Sequence, residues 1–233
     1  MDHLASGLVY YIAFLFSTTA HEAAHAWAAK LGGDLTAYHG GQVSLDPRPH
    51  IRREPFGMVL LPLLSTVMSG WPFGFASAPY DPEWALKHPR RAGWMAVAGP
   101  AANLMIVLLS GCVIRIGIAA GALTSPDVAG FDHIVLANAD GVWPGVAFML
   151  SVMFSLNLML ACLNMIPLPP LDGSAAVLLG LSEGTAHRYQ QFLMSSHALG
   201  MMGLLVAWQV FDLLYDPIFT VALNLLYPGA SYG

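Results

Sequence analysis

Apolar and polar positions along this chain fall into long blocks, not into the short periods of amphipathic surface elements. From Leu4 to Ala29 the residues are apolar apart from hydroxyls, two histidines and one glutamate. These 26 positions would measure roughly 39 Å as helix, enough to cross a bilayer. Gly32-Gly33 ends the block, and Leu31 to Glu54 is the first long polar stretch, with Gly40-Gly41 marking a turn. Its short runs Leu35 to Tyr38 and Gln42 to Leu45 predict two strands. They would form a small β-hairpin after the first helix, either a plain surface feature or an edge with which an extended peptide can pair. Phe56 to Ala78 is apolar again but interrupted by Pro62, Gly70, Pro72 and Gly74. Ala92 to Ala122, Trp143 to Ile166 and Ser195 to Leu214 are each long enough to cross, and Pro217 to Tyr227 predicts a short terminal helix. Pro100 falls where a helix starting near Ala92 tolerates proline in its first turns. The small residues Ala96, Ala98, Gly99, Ala101 and Ala102 let another helix backbone approach there, with Asn103 the polar residue on that face.

Composition supports the same picture. Of 233 residues, 56% are hydrophobic and 10% charged, and the mean hydropathy is +0.60, whereas soluble domains carry about 25% charged residues. The fold class that follows is an all-α polytopic membrane protein. No internal repeat or long linker divides it, so residues 1–233 are expected to form a single domain. Met1-Asp2-His3 lacks a basic leader region, so the first block reads as a retained helix. Cys112 and Cys162 both lie in apolar runs and suggest neither a disulfide framework nor a thiolate metal site. A net charge of −5 with no basic stripe argues against nucleic acid as a partner.

Charge placement adds a topology. The loops on either side of Phe56 to Ala78 are both basic, through Arg48, Arg52 and Arg53 before it and Lys87, Arg90 and Arg91 after it. If positive residues mark the cytoplasmic side, both loops share that side and the segment between them dips in and returns as a re-entrant hairpin. The loop Leu123 to Val142 holds Asp127, Asp132 and Asp140 but no lysine or arginine, as an outside loop should. Eight of the nine basic residues then fall inside, Arg115 being the exception. The expectation is a multi-pass cell-membrane protein with four crossings plus the re-entrant hairpin, and with its N-terminus outside.

The first block carries the chemistry. In Thr18-Thr19-Ala20-His21-Glu22-Ala23-Ala24-His25, the two imidazoles are four residues apart and share a helix face, so both can reach one metal ion. This is the H-E-x-x-H arrangement of zinc metalloproteases, in which the glutamate takes a proton from an activated water. Lys30 lies nine positions beyond His21, which puts that imidazole roughly 14 Å below a water interface at Lys30, in the cytoplasmic half of the bilayer. A charge costs about 2.5–3.5 kcal/mol at mid-bilayer, so Glu22 and the histidines should face protein or a wet cavity. A catalytic zinc takes three protein ligands, and Asp172 is the best third candidate. Pro167, Pro169 and Pro170 break the chain beside it, and such a break could aim a carboxylate inward. Asp172 could otherwise cap a short helix from Gly173 to Leu181. His39 and His50 could border the site; His3 and His133 are on the wrong side, and His88, His187 and His197 read as interfacial or packed residues.

Three motifs in this order resemble those of the site-2 protease family, the intramembrane zinc metalloproteases. They are His21 to His25, then Ala98-Gly99-Pro100-Ala101-Ala102-Asn103, then Asn164, Pro167, Leu171, Asp172 and Gly173 of an N-x-x-P-x-x-x-L-D-G pattern. The resemblance implies a compact form without PDZ or CBS domains. In it, His21, His25 and Asp172 bind one zinc ion, Glu22 is the catalytic base, and Asn164 and Asn103 are polar residues of the catalytic cleft. It also implies regulated intramembrane proteolysis of a transmembrane protein substrate, with a membrane partner as the candidate for gating. Gln42, Asp46-Pro47 and Arg52-Arg53 depart from the loop sequence that similar members carry. Two rival readings use the same residues: a metal-ion transporter, which would need polar groups along a route to the other face, and a non-catalytic helix-binding homologue, against which the intact Glu22 speaks.

Overall fold

A computed structural model describes the backbone of residues 3–195 and 197–232, with side chains for 5–194 and 200–232; the predicted surroundings of His3 and His197 lie outside the described side chains. Helix α1 (His3–Leu31) is followed by the short helices α2 (Thr36–His39) and α3 (Pro47–Arg53). A π-helical turn over Phe56–Leu60 leads into α4 (Leu61–Ser69), and an irregular return over 71–81 reaches α5 (Pro82–Lys87). The chain then builds α6 (Pro89–Ala119), an antiparallel pair β1 (Leu123–Thr124) and β2 (Leu136–Ala137), and α7 (Trp143–Asn164). A proline-rich stretch gives way to α8 (Asp172–Ala176) and a 3-10 turn over Val177–Gly180, then α9 (Glu183–Ser195) and α10 (His197–Leu226).

Among the described residues three helices are long and apolar enough to cross a membrane: Pro89–Ala119, Trp143–Asn164 and Gly200–Leu226. The first helix, 29 residues long, is not among them. Ser17, Thr18, Thr19 and the His21, Glu22 and His25 side chains dilute its hydropathy. They are also buried, so its polar groups face protein. The most extensive packing is of α6 against α7 and α1, which together form the core. Helix α10 instead presents Met201, Leu205, Trp208, Leu213 and Leu225 outward. Pro217 does not end a crossing at Leu214, as expected, but sits inside the continuous α10. Arg115 donates from Nη1 to the Leu226 carbonyl at 3.4 Å, where a cation complements the end of the helix dipole. Pro100 likewise lies well inside α6, which begins at Pro89.

The hairpin expected after the first helix is absent, and the strand pair occurs instead in the loop between α6 and α7. Local side-chain acceptors explain the difference. Asp34, just after Gly33 turns the chain at φ 97°, accepts from the Thr36 N–H at 2.9 Å and its hydroxyl at 2.6 Å, winding Leu35 to Tyr38 into a helical turn. Gln42 returns its N–H to the Ala37 carbonyl, and Asp46 caps α3 by accepting from Arg48 N–H at 2.9 Å with Pro47 at the first helical position. The Thr36 and Gln42 N–H groups are thus taken by acceptors within the loop and are not offered to a strand ladder.

Residues 56–81 turn back on themselves. Gly70, at φ 73°, ends α4 in the left-handed region, and the return brings Phe75 N–H to the Gly57 carbonyl at 3.1 Å. Glycine is required on both sides of this contact, because a Cβ at Gly57 would meet the Phe75 carbonyl and one at Gly74 would meet the Gly57 carbonyl. Trp71, past the tip, packs on Tyr10 of α1 and on Phe131, with ring centroids 4.9 and 4.5 Å away.

The Asp34 carboxylate also accepts from the Asp81 N–H at 2.8 Å, so one buried group ties the end of α1 to α2 and to the return segment. Burial alone would raise its pKa, but the Thr36 hydroxyl, Thr36 N–H and Asp81 N–H outweigh that and hold it below the ordinary value. A depressed carboxyl stabilises the fold above its unfolded pKa of about 3.9, and the contribution is lost as pH falls through the folded value. Asp34→Ala is therefore expected to destabilise the protein by about 2–4 kcal/mol at neutral pH, with the difference from wild type shrinking in acid. Thermal unfolding in detergent at several pH values measures both.

Candidate metal centre

His21 and His25 lie one turn apart on α1 and are buried, with their ring centroids 4.6 Å apart. Their Nε2 atoms converge to 2.9 Å, and Asp172 Oδ2 stands 3.1 Å from the first and 3.3 Å from the second. Donors held about 2.0–2.1 Å from a tetrahedral zinc lie roughly 3.3 Å from one another, so the triangle has the size of one face of such a site. Two neutral nitrogens and one carboxylate oxygen are also a donor set that zinc accepts. Among the described residues these are the group of His, Cys, Asp and Glu side chains able to share an ion.

Asp172 does not cap a helix. It is the first residue of α8, Leu171 holds the cap position without a side-chain hydrogen bond, and the carboxylate turns toward the imidazoles. Gly173, next in line, lies so close to the Met165 and Ile166 carbonyls that a Cβ would collide with both. The backbone between α7 and α8 therefore doubles back tightly, which carries Asp172 to the depth of the histidines.

Helix α6 runs antiparallel to α1 and supplies what stands behind the imidazoles. His25 Nδ1 donates to the Met95 carbonyl at 2.7 Å, and His21 Nδ1 lies 2.6 Å from Asn103 Oδ1. With Nδ1 engaged in this way, Nε2 of each ring is the atom left to face a metal. Between these partners sits Gly99, where a Cβ would fall onto the Nε2 atoms of both rings. Met95, Gly99 and Asn103 thus form a stripe at intervals of four that matches the interval from His21 to His25.

Glu22, His21, His25 and Asp172 line a cavity of about 630 Å³. Asn164 also lines it and donates from Nδ2 to the Leu160 carbonyl at 3.0 Å, whereas Asn103 lies behind His21, fully buried and away from the cavity. One wall is the irregular return, through Ala76, Ser77, Ala78 and Tyr80. Gln42 holds that wall by donating from Nε2 to the Ser77 carbonyl at 3.2 Å, and Glu54 accepts the Ser77 hydroxyl at 2.6 Å. The buried Gln42 therefore works as a strut for the return segment, not as a strand residue of its own. His39 and His50 do not border the site: His39 is exposed, and His50 is buried in its own loop with Nε2 on the Ser44 carbonyl at 3.0 Å.

Two residues were not singled out in the sequence. Gln190 of α9 lines the cavity with a buried Oε1 that has no partner. Asn157 of α7 is wholly buried and accepts at Oδ1 from Asn103 Nδ2 at 2.8 Å. Asn157 is one of four polar residues in its apolar run, with Ser151, Ser155 and Asn164, so the sequence did not set it apart, and nothing in the α9 sequence set Gln190 apart.

Comparison with known proteins agrees with this geometry. The family model described as Peptidase family M50 matches residues 9–207. YwhC of Bacillus subtilis strain 168, provisionally named a zinc metalloprotease, is 33% identical over 169 residues, 70% of this chain and 64% of that protein. Rip2 of Mycobacterium tuberculosis strain H37Rv, named in the same provisional way, is 32% identical over 165 residues, 70% of this chain and 54% of that protein. The chain thus matches between about half and two-thirds of the length of these relatives. No solved structure gives a significant match. A family match over residues 9–207, which includes the H-E-x-x-H helix and Asp172, means that the chain belongs to peptidase family M50, the site-2 protease family of zinc metalloproteases.

Proposed function

We propose that this chain is an intramembrane zinc endopeptidase that cuts transmembrane protein segments, with His21, His25 and Asp172 holding one catalytic ion. The observation that carries the reading is the triangle of Nε2, Nε2 and Oδ2 atoms at 2.9–3.3 Å, open to a cavity that Glu22 also lines. Zinc bound there supplies Lewis acidity, making a water molecule acidic near neutral pH and polarising a peptide carbonyl. Glu22 takes the proton of the attacking water and returns it to the departing amide nitrogen. Met95 and Asn103 keep both imidazoles oriented throughout, and Asn164 on the cavity wall is placed to donate to the substrate carbonyl.

A helical substrate hides its carbonyls in its own hydrogen bonds and has to unwind before it is cut. The cavity suits an unwound segment. Its wall from Ala76 to Tyr80 lies outside any helix or strand, so its main-chain groups are candidates to pair with an extended peptide there, the role first expected of Gln42 to Leu45. Gln190 Oε1, buried and unpaired, is an acceptor for a substrate N–H on the facing side.

The orientation follows from charge: Lys30, Arg48, Arg52, Arg53, Lys87, Arg90 and Arg91 cluster about the end of α1 and the start of α6, and Asp127, Asp132 and Asp140 about the opposite end. We place the first group in the cytoplasm, with α1 as a fourth crossing and residues 56–78 re-entrant. Single cysteines introduced at Asp127 and at Arg52 should then react with an impermeant thiol reagent from outside and from inside respectively; the reverse pattern would invert the topology.

For the chemistry, Glu22→Gln should retain about one zinc per chain and lose roughly 10²–10⁴-fold in cleavage of a transmembrane substrate in proteoliposomes. His21→Ala and Asp172→Ala should both lose the ion, read as metal content of purified protein. Undiminished zinc in Asp172→Ala, or a fully active Glu22→Gln, would contradict the assignment.

A further inference from the structure

Ser17, Asn103 and Asn157 are wholly buried, and with His21 they form an open ring of polar side chains across α1, α6 and α7, linked from Ser17 through Asn157 and Asn103 to His21. We infer that Asn157 is a positioning residue which, acting through Asn103, decides which nitrogen of His21 carries the proton and hence whether Nε2 is free to bind a metal.

The direction of every bond in the ring follows from one atom. The Met153 carbonyl can only accept, and it lies 2.8 Å from Asn157 Nδ2. The Asn157 amide must therefore turn its NH₂ toward α7's own backbone, where the same group also reaches Ser17 Oγ at 2.8 Å. Its Oδ1 is left facing Asn103, which has to answer with its own NH₂, and the two atoms are 2.8 Å apart. Asn103 then has only Oδ1 to offer His21. An acceptor 2.6 Å from Nδ1 requires a proton on Nδ1, and Nε2 is left with a lone pair aimed at Asp172 and His25. For His25 the same choice is made in one step, by the Met95 carbonyl.

An amide oxygen and an amide nitrogen have nearly the same shape, so packing alone does not orient Asn103. Without Asn157 it can turn over and present NH₂ to His21. Nδ1 must then accept, the proton moves to Nε2, and the first ligand atom is blocked.

This inference rests on the zinc reading of the site, and the test separates the two. Zinc affinity of the purified full chain is measured by competition with a chromophoric chelator for wild type, Asn157→Leu, Asn157→Asp, Asn103→Ala and the Asn103→Ala/Asn157→Leu pair. Asn157→Leu should bind zinc about 10–100-fold more weakly. Asn157→Asp, neutral when so deeply buried, presents a carbonyl to Asn103 and a hydroxyl to Met153 and should restore the wild-type affinity. The double variant should bind no more weakly than Asn103→Ala alone, since one residue acts through the other. Asn157→Ala removes the same amide with less bulk, and it is read in the same way if the leucine variant does not fold. Wild-type affinity in Asn157→Leu, an aspartate variant as weak as the leucine one, or additive losses in the pair would each overturn the role of Asn157. A wild-type chain that takes up no zinc would overturn the metal reading itself, and this inference with it.

Discussion

Two imidazole nitrogens 2.9 Å apart with a carboxylate oxygen at 3.1 and 3.3 Å bring three electron-pair donors to one point on a cavity wall, an arrangement that a bound cation stabilises. The rest of the structure is arranged around making that convergence possible. Each imidazole has its rear nitrogen occupied by an acceptor on α6, so the neutral ring keeps its Nε2 lone pair toward the shared point. The one residue of α6 that would press on the rings is glycine. The carboxylate arrives from a separate part of the chain, on a stretch whose prolines and Gly173 forbid a continued helix.

Irregular backbone is expensive at membrane depth unless it lines a cavity or is buried in protein. Both irregular stretches here meet that condition, since the return segment 76–80 and the turn Pro169 to Asp172 form walls of the same cavity. They are also tied down at identifiable atoms: Gln42 on the Ser77 carbonyl, Asp34 on the Asp81 N–H, and the Gly57 carbonyl on the Phe75 N–H. The polar loop after α1 is thus the scaffold that holds this wall of the cavity, its own residues folded into two short helices of which α3 is capped by Asp46.

What was legible in the sequence follows from the length of each signal. The blocks that became α1, α6 and α7 were read within a few residues, because a long apolar run leaves a backbone few alternatives to helix. His21, Glu22 and His25 were legible because four-residue spacing on a helix is itself a geometric statement, and Asp172 because a third donor was required. The runs Leu35 to Tyr38 and Gln42 to Leu45 were misread as strands because four residues carry too little periodicity to separate strand from turn. The deciding atom, Asp34 Oδ1, lay just outside them. Pro217 was read as the start of a separate terminal helix, yet α10 runs continuously through it. Asn157 could not be recognised because its importance lies in bonds to residues 54 and 140 positions away.

The match between α1 and α6 goes further than packing. On α1 the contacts come from His21 and His25, four residues apart; on α6 they are taken by Asn103 and Met95, in reverse order and eight apart, with Gly99 midway between them. Because both contacts join the same two helices, they succeed or fail together. Sliding α6 by one residue along α1 would move its stripe about 100° round the helix, removing the acceptors for both Nδ1 atoms and bringing a side chain into the space that Gly99 leaves free. The metal site therefore does not sit passively on a helix pair formed by apolar contact. In a region where lipid is as apolar as leucine and helix association has little hydrophobic drive, the polar contacts behind the imidazoles are what select one register of α6 against α1, so the atoms that tune the ligands also specify the fold around them.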